Sequence, residues 1–229
     1  MHTAALTQAQ IRERNLVSSA FGWMAIGLGV TALLAWATAH NEALLRLLFS
    51  NPILMIGLFV AQIGLVIYLS ARIQAMSLQA AMGAFFVYSG LMGLTLSSIF
   101  IIYARATLTS AFTVTAGTFA LTAVYGFSTK RDLTSVGNLA FMGLIGIILA
   151  SLVNMFMHSP AVYWATTYLG VLIFVALTAY DVQRIKAMDQ MSYSGEESYQ
   201  KAAILGALRL YLDFINLFLF ILRIMGSRR

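Results

Sequence analysis

Six times along this chain, twenty or more residues pass without a charge: 16–39, 52–71, 78–103, 108–128, 135–157 and 161–180. A seventh apolar stretch, 202–224, is broken by Arg209, Asp213 and, near its end, Arg223. A helix needs about 20 apolar residues to cross about 30 Å of hydrocarbon, so each stretch is long enough to span a bilayer. The runs are continuous, not alternating, which excludes a β-barrel. Only 10% of the 229 residues are charged and 60% are hydrophobic, whereas a soluble domain carries about 25% charge. A chain of this size cannot hide so much apolar surface in its own core. It reads as an all-α membrane protein of seven transmembrane helices. Residues 1–15 form a short cytoplasmic tail and 16–229 the transmembrane domain. The absence of cysteine removes disulfides, thiolate catalysis and Cys-ligated zinc. The net charge of +6 fits basic loop anchors better than nucleic-acid binding.

The first span follows Arg12 and Arg14 and ends in Ala37-Thr38-Ala39, which imitates a cleavable signal. Its apolar run exceeds the usual h-region, so it is expected to be retained. Lys and Arg set the orientation. With the N-terminus cytoplasmic, Arg12, Arg14, Arg72, Lys130, Arg131, Arg184, Lys186 and Lys201 lie inside, and only Arg46 and Arg105 lie outside before the last segment. Arg223, Arg228 and Arg229 then fall outside if the seventh segment crosses fully, against the same rule. Full crossing and a re-entrant ending both stay open, with crossing preferred. Gly22, Gly27, Gly29, Gly83, Gly90, Gly93, Gly143 and Gly146 are expected to let helices pack closely.

On a helix, Gly206, Arg209, Asp213, Asn216 and Arg223 share one stripe, and the rest of 202–224 is apolar or Tyr. A single polar seam on an otherwise apolar helix places that helix at the centre of a bundle. Asp181 ends the sixth span in LTAYDVQRIK, with Thr178 and Arg184 three residues to either side. The two aspartates can meet only if the seventh helix begins with a turn or two outside the hydrocarbon. If they do, burial and like charge prevent both from ionising freely, and the pair titrates as a unit. An ionisable residue within a span points to function. The competing reading is that Arg209, one turn earlier, merely neutralises Asp213. Arg72 is either a third member of this group or an ordinary inside anchor. His40 and His158 lack a third ligand for a metal, and no cofactor is implied. Gln62, Ser151 and Asn154 read as interhelical glue before pore lining.

The strings LYLDFINLFLFILRIMG and TAYDVQRIK, with GLTLSSIFIIY and TKRDLTSVGN, resemble the Bax inhibitor-1 family, in particular its bacterial inner-membrane branch. The resemblance covers residues 15–229. It implies six helices packed around a central, hydrophobic seventh. It also implies a pH-sensitive calcium leak, with calcium as the permeant ion. In that scheme Asp181 and Asp213 are the pH sensor and Arg72 is the latch of the closed state. Arg209, Asn216 and Arg184 stand as modulators. Some relatives carry an acidic residue in the second helix; here the nearest polar position is Gln62, the candidate pore-lining residue, which lacks that charge.

Two other classes compete. A regulator of a membrane protease or of another membrane protein would use the polar segment 182–201 as its contact surface. An intramembrane aspartyl protease needs paired carboxylates, but Leu210 and Leu212 occupy the places of the GxGD glycines, and neither Pro52 nor Pro160 belongs to a PAL motif. The expectation is therefore a non-enzyme. No Lys lies deep in the seventh span to hold a retinal.

Overall fold

A computed structural model describes residues 8–188 and 195–226, with side chains from residue 13. The elements in chain order are α1 (Gln8–Ala39), α2 (Glu42–Phe49), α3 (Pro52–Arg72), a 3-10 turn (Ile73–Ala75), α4 (Leu78–Leu96), α5 (Ile99–Ile102), α6 (Arg105–Ser128), α7 (Thr134–Met157), α8 (Pro160–Met188) and α9 (Glu196–Met225). There is no β-strand among the described residues. Seven helical segments are long and apolar enough to cross a membrane. Ile53, Leu121 and Phe156 are 82%, 76% and 79% exposed, an outer surface that only hydrocarbon solvates without cost.

Local chemistry explains where helices start and stop. Asn41 caps α2 by accepting the Leu44 amide at 3.1 Å. Asn51 caps α3 by accepting the amides of Ile53 and Leu54, and Pro52 follows with a φ already suited to a first turn. His158 adopts φ 52° at the end of α7, and Asn154 accepts the Ser159 amide at 2.8 Å there. Asn154 thus caps its own helix end, where the sequence suggested interhelical glue.

Two further departures have physical causes. The stretch 78–103 is not one helix: α4 stops at Leu96 and α5 restarts at Ile99. The hydroxyls of Ser97 and Ser98 donate to the Leu94 and Thr95 carbonyls at 2.7 and 3.4 Å, competing with the helix's own ladder. The loop after α1 also holds α2, a short helix whose Leu44, Leu47 and Phe49 are exposed.

The chain forms two compact units, one of residues up to Ala104 with Ile185–Tyr211, the other of Arg105–Arg184 with Leu212–Arg228. In the first, α1 lies along α4. Gly27 abuts the Phe85 ring and Gly93 the Thr31 carbonyl. Thr31 Oγ1 sits 2.6 Å from Tyr211 Oη and 2.8 Å from the Ser89 carbonyl. Phe85 and Tyr88 meet the Tyr211 ring edge-on. In the second unit, Phe214 packs edge-on against Phe112 and Phe119, and Phe218 against Phe112. Close approach requires glycine at Gly126, which meets the Ala179 backbone, and at Gly137, which lies under the Tyr180 ring. Gly22, Gly29, Gly83 and Gly146, by contrast, have open space where a Cβ would go; they are not the packing positions the sequence suggested.

The last span is the enclosed one. Of its most apolar stretch 67% is buried, against 11–39% in the other six. Ala203, Ile204, Ala207, Leu208, Leu210 and Tyr211 are at most 1% exposed.

Candidate functional site

Asp181 and Asp213 both belong to the second unit and both are buried, at 8% and 4% exposure. The register of α8 against α9 shows how they stand. Arg223 Nη1 donates to Thr167 Oγ1 at 3.3 Å, Gly170 lies under the Phe220 ring, and the rings of Phe174 and Phe220 are 5.9 Å apart. The helices are antiparallel, so each step forward on α8 is a step back on α9, and these pairs set Asp213 beside the stretch of α8 from Leu177 to Asp181. Leu177 and Asp181 are four residues, or about 6 Å, apart along the axis, so Asp213 stands within one turn of Asp181 in height. On α8, Thr167, Gly170, Phe174, Thr178 and Asp181 recur at steps of three and four; on α9, so do Asp213, Asn216, Phe220 and Arg223. Each carboxylate therefore stands on the face its helix turns toward the other, the two within one turn in height.

Helix length makes this geometry reachable. α9 starts at Glu196, six residues before the apolar run, and α8 continues seven residues past Asp181 to Met188. Lys201, itself 7% exposed, is held by Glu197 Oε1 at 3.0 Å and donates to the Gln74 carbonyl at 3.5 Å. That ion pair and hydrogen bond fix the polar start of α9.

The other sequence-derived residues divide clearly. Asn216 Nδ2 donates to the Leu212 carbonyl at 2.8 Å, one turn back on its own helix. Arg184 is exposed at the end of α8. Arg209 is half-buried on α9. Arg72 is exposed at the end of α3, in the first unit. Gln62 is buried, and its amide donates to the Leu91 carbonyl at 3.3 Å and to Thr95 Oγ1 at 3.4 Å; its polar atoms bridge α3 to α4. Nδ1 of His40 donates to the Trp36 carbonyl and Nδ1 of His158 to the Phe156 carbonyl. Among the described residues no group of His, Asp and Glu converges as metal ligands. Of the segment 182–201 that would serve a partner, 189–194 lies outside the described residues.

Sequence reasoning missed three supports of the Asp181 position. Gln183 Nε2 donates to the Arg131 carbonyl at 2.8 Å, and its Oε1 accepts the Leu133 amide at 2.9 Å. This clamps the α6–α7 loop to α8 two residues from Asp181. Gly126 and Gly137 let α6 and α7 reach Ala179 and Tyr180, the residues just before it. The signal for the glycines was present, since both lie in spans, but nothing in one sequence ranks them above Gly22 or Gly146.

The family model described as inhibitor of apoptosis-promoting Bax1 matches residues 13–229. This chain belongs to the Bax inhibitor-1 family. Within the family it is similar to inner membrane protein YbhL of Escherichia coli, at 50% identity over 226 residues, covering 98% of this chain and 97% of that one. An uncharacterized protein of Borreliella burgdorferi is 44% identical over 217 residues, covering 95% of this chain and 94% of its own. One of Deinococcus radiodurans is 40% identical over 230 residues, covering 100% and 98%. The matches span the full lengths on both sides, so the whole seven-helix arrangement is a property of this Bax inhibitor-1 family membrane protein. No enzyme family is indicated by these matches.

Proposed function

We propose that this protein is a pH-sensitive passive cation leak of the bacterial inner membrane, with calcium the leading permeant and Asp181 and Asp213 the proton-sharing sensor. The observation that carries this reading is the placement of two buried carboxylates on facing stripes of antiparallel α8 and α9, within one turn of each other. Two carboxylates in such surroundings hold a proton between them in one state and separate or find a cation in the other. Protonation thereby biases a two-state arrangement of the enclosed helix α9. The name of the Escherichia coli relative supports the inner membrane. In this reading Arg72 is the latch, and Arg72→Gln leaves the leak raised at neutral pH.

The test is calcium flux into proteoliposomes across pH 5–8. Asp213→Asn is expected to make the flux independent of pH, and adding Asp181→Asn should change little more, because the pair titrates as one unit. Flux that still titrates normally in Asp213→Asn sinks the sensor. Flux absent in the wild type at every pH sinks the leak.

A further inference from the structure

Arg223 lies at the end of the molecule where α9 stops and α8 begins, remote from the aspartates. Its guanidinium stands 4.9 Å over the Tyr163 ring and 5.4 Å over the Phe220 ring, and Nη1 donates to Thr167 at 3.3 Å. Two rings and a hydroxyl fix one edge of a group with five N–H donors. The remaining donors have no carboxylate: among the described residues, no acidic side chain pairs with Arg223. The side chain is half-buried, so its charge is partly withdrawn from solvent and lacks a counterion from the protein.

What surrounds it faces lipid. Trp164 and Tyr168 stack at 5.7 Å on the adjoining stripe of α8 and are 40% and 54% exposed. Amphipathic rings at the end of a span sit at the headgroup level of a bilayer. Arg223 is two residues from the end of α9, about 3 Å in axial rise, at the level of the end of α8 that carries the Trp164 and Tyr168 rings. A guanidinium prefers a planar two-oxygen partner, and a phosphodiester supplies one.

We infer that Arg223, with Tyr163, Trp164, Thr167, Tyr168 and Phe220, forms a binding site for the phosphate of a membrane phospholipid, anionic species above all. The lipid phosphate gives the cation the counter-charge the protein withholds, and the exposed Trp164–Tyr168 stack packs along the glycerol and upper acyl chain. This explains how a basic residue is stable at a span end that the distribution of positive charge would leave poor in Lys and Arg. It also gives α8 and α9 a shared anchor at the end opposite Asp181 and Asp213.

The experiment uses the intact protein in detergent, titrated with phosphatidylglycerol and read by native mass spectrometry and by thermal unfolding. Phosphatidylglycerol is expected to bind the wild type and raise its Tm. Arg223→Gln should weaken that binding about tenfold or more, the scale of a lost charge-assisted hydrogen bond, and Arg223→Lys should recover part of it. Inorganic phosphate should leave Tm unchanged. An equal Tm rise with inorganic phosphate, or undiminished lipid binding in Arg223→Gln, overturns the site. Should Arg223→Gln fail to fold, a photoactivatable phosphatidylglycerol is crosslinked to the wild type. Label on residues 160–168 or 219–225 supports the site, and label confined elsewhere overturns it.

Discussion

Tyr211 Oη and Thr31 Oγ1 lie 2.6 Å apart, tying α9 to α1 two residues before Asp213. Thr31 has one hydroxyl proton, and the Ser89 carbonyl at 2.8 Å and the Gly27 carbonyl at 3.0 Å can only accept it. Tyr211 is therefore the donor to Thr31, and Thr31 the donor to Ser89. The two ends of this chain of hydrogen bonds are not equivalent. Tyr211→Phe leaves Thr31 still bonded to Ser89 and is expected to cost about 0.5–1 kcal/mol, whereas Thr31→Val orphans the buried Tyr211 hydroxyl and costs about 1–3 kcal/mol. Unfolding in mixed micelles checks the ranking; equal losses would mean Tyr211 finds another partner.

Gly126 and Gly117 lie on the same helix, α6, with opposite surroundings. A Cβ at 126 would enter the Ala179 backbone, whereas at 117 nothing stands within 4 Å. Gly126→Ala should destabilise by about 1–3 kcal/mol, and Gly117→Ala should be neutral or stabilise by up to about 1 kcal/mol. Under the proposed leak, Ala179 lies close before the sensor residue Asp181, and Gly126→Ala should also shift the pH midpoint of calcium flux. A midpoint unchanged in a folded Gly126→Ala protein would separate this packing contact from the sensor.

Gln183 spends both ends of its amide on one loop, the Arg131 carbonyl and the Leu133 amide. Gln183→Ala removes both bonds at once. Hydrogen exchange at the Leu133 amide is expected to accelerate by about tenfold or more, while exchange in the middle of α7 stays as it was. Unchanged exchange at Leu133 would show that Gln183 does not hold the loop in solution.

Asp132, in the same loop, accepts from the Thr134 hydroxyl at 2.6 Å and from the Thr134 amide at 2.9 Å. The hydroxyl bond first, and the amide bond second, hold its carboxyl below the ordinary 3.8. A depressed carboxylate contributes stability that is present above the unfolded value and is lost as pH falls through the folded one. The Asp132–Thr134 bonds at the start of α7 should therefore persist to a pH below 3.8. Thr134→Ala should bring the Asp132 titration, followed by carbon NMR, back up toward that value. A midpoint at or above it in the wild type would contradict the bond.

The spans themselves were legible because lipid leaves a chain little freedom. A backbone in hydrocarbon must satisfy its own hydrogen bonds, so length and apolarity alone assign the helices. The α3 start at Pro52, capped by Asn51, could be read directly from residue type. The break at Ser97 and Ser98 could not, since a run of apolar residues with two serines scores as continuous until their hydroxyls are seen on the Leu94 and Thr95 carbonyls. Gln62 read as interhelical glue before pore lining, and only the facing Leu91 and Thr95 on α4 show where its amide goes.

By itself the sequence determined the seven spans, the family, the enclosed character of the last helix and the identity of Asp181 and Asp213 as the charged residues to explain. Run length sufficed for the spans and motif resemblance for the family; periodicity sufficed for the last helix, because a polar stripe on an apolar helix has one stable orientation in lipid. The tertiary structure alone decided the height of Asp181 relative to Asp213, the clamp by Gln183, the glycines that approach and those that do not, and the rings around Arg223. Those depend on the register between helices far apart in the chain. Interhelical register in lipid is set by van der Waals fit and a few hydrogen bonds, not by burial of apolar surface, and neither leaves a periodic trace in one sequence.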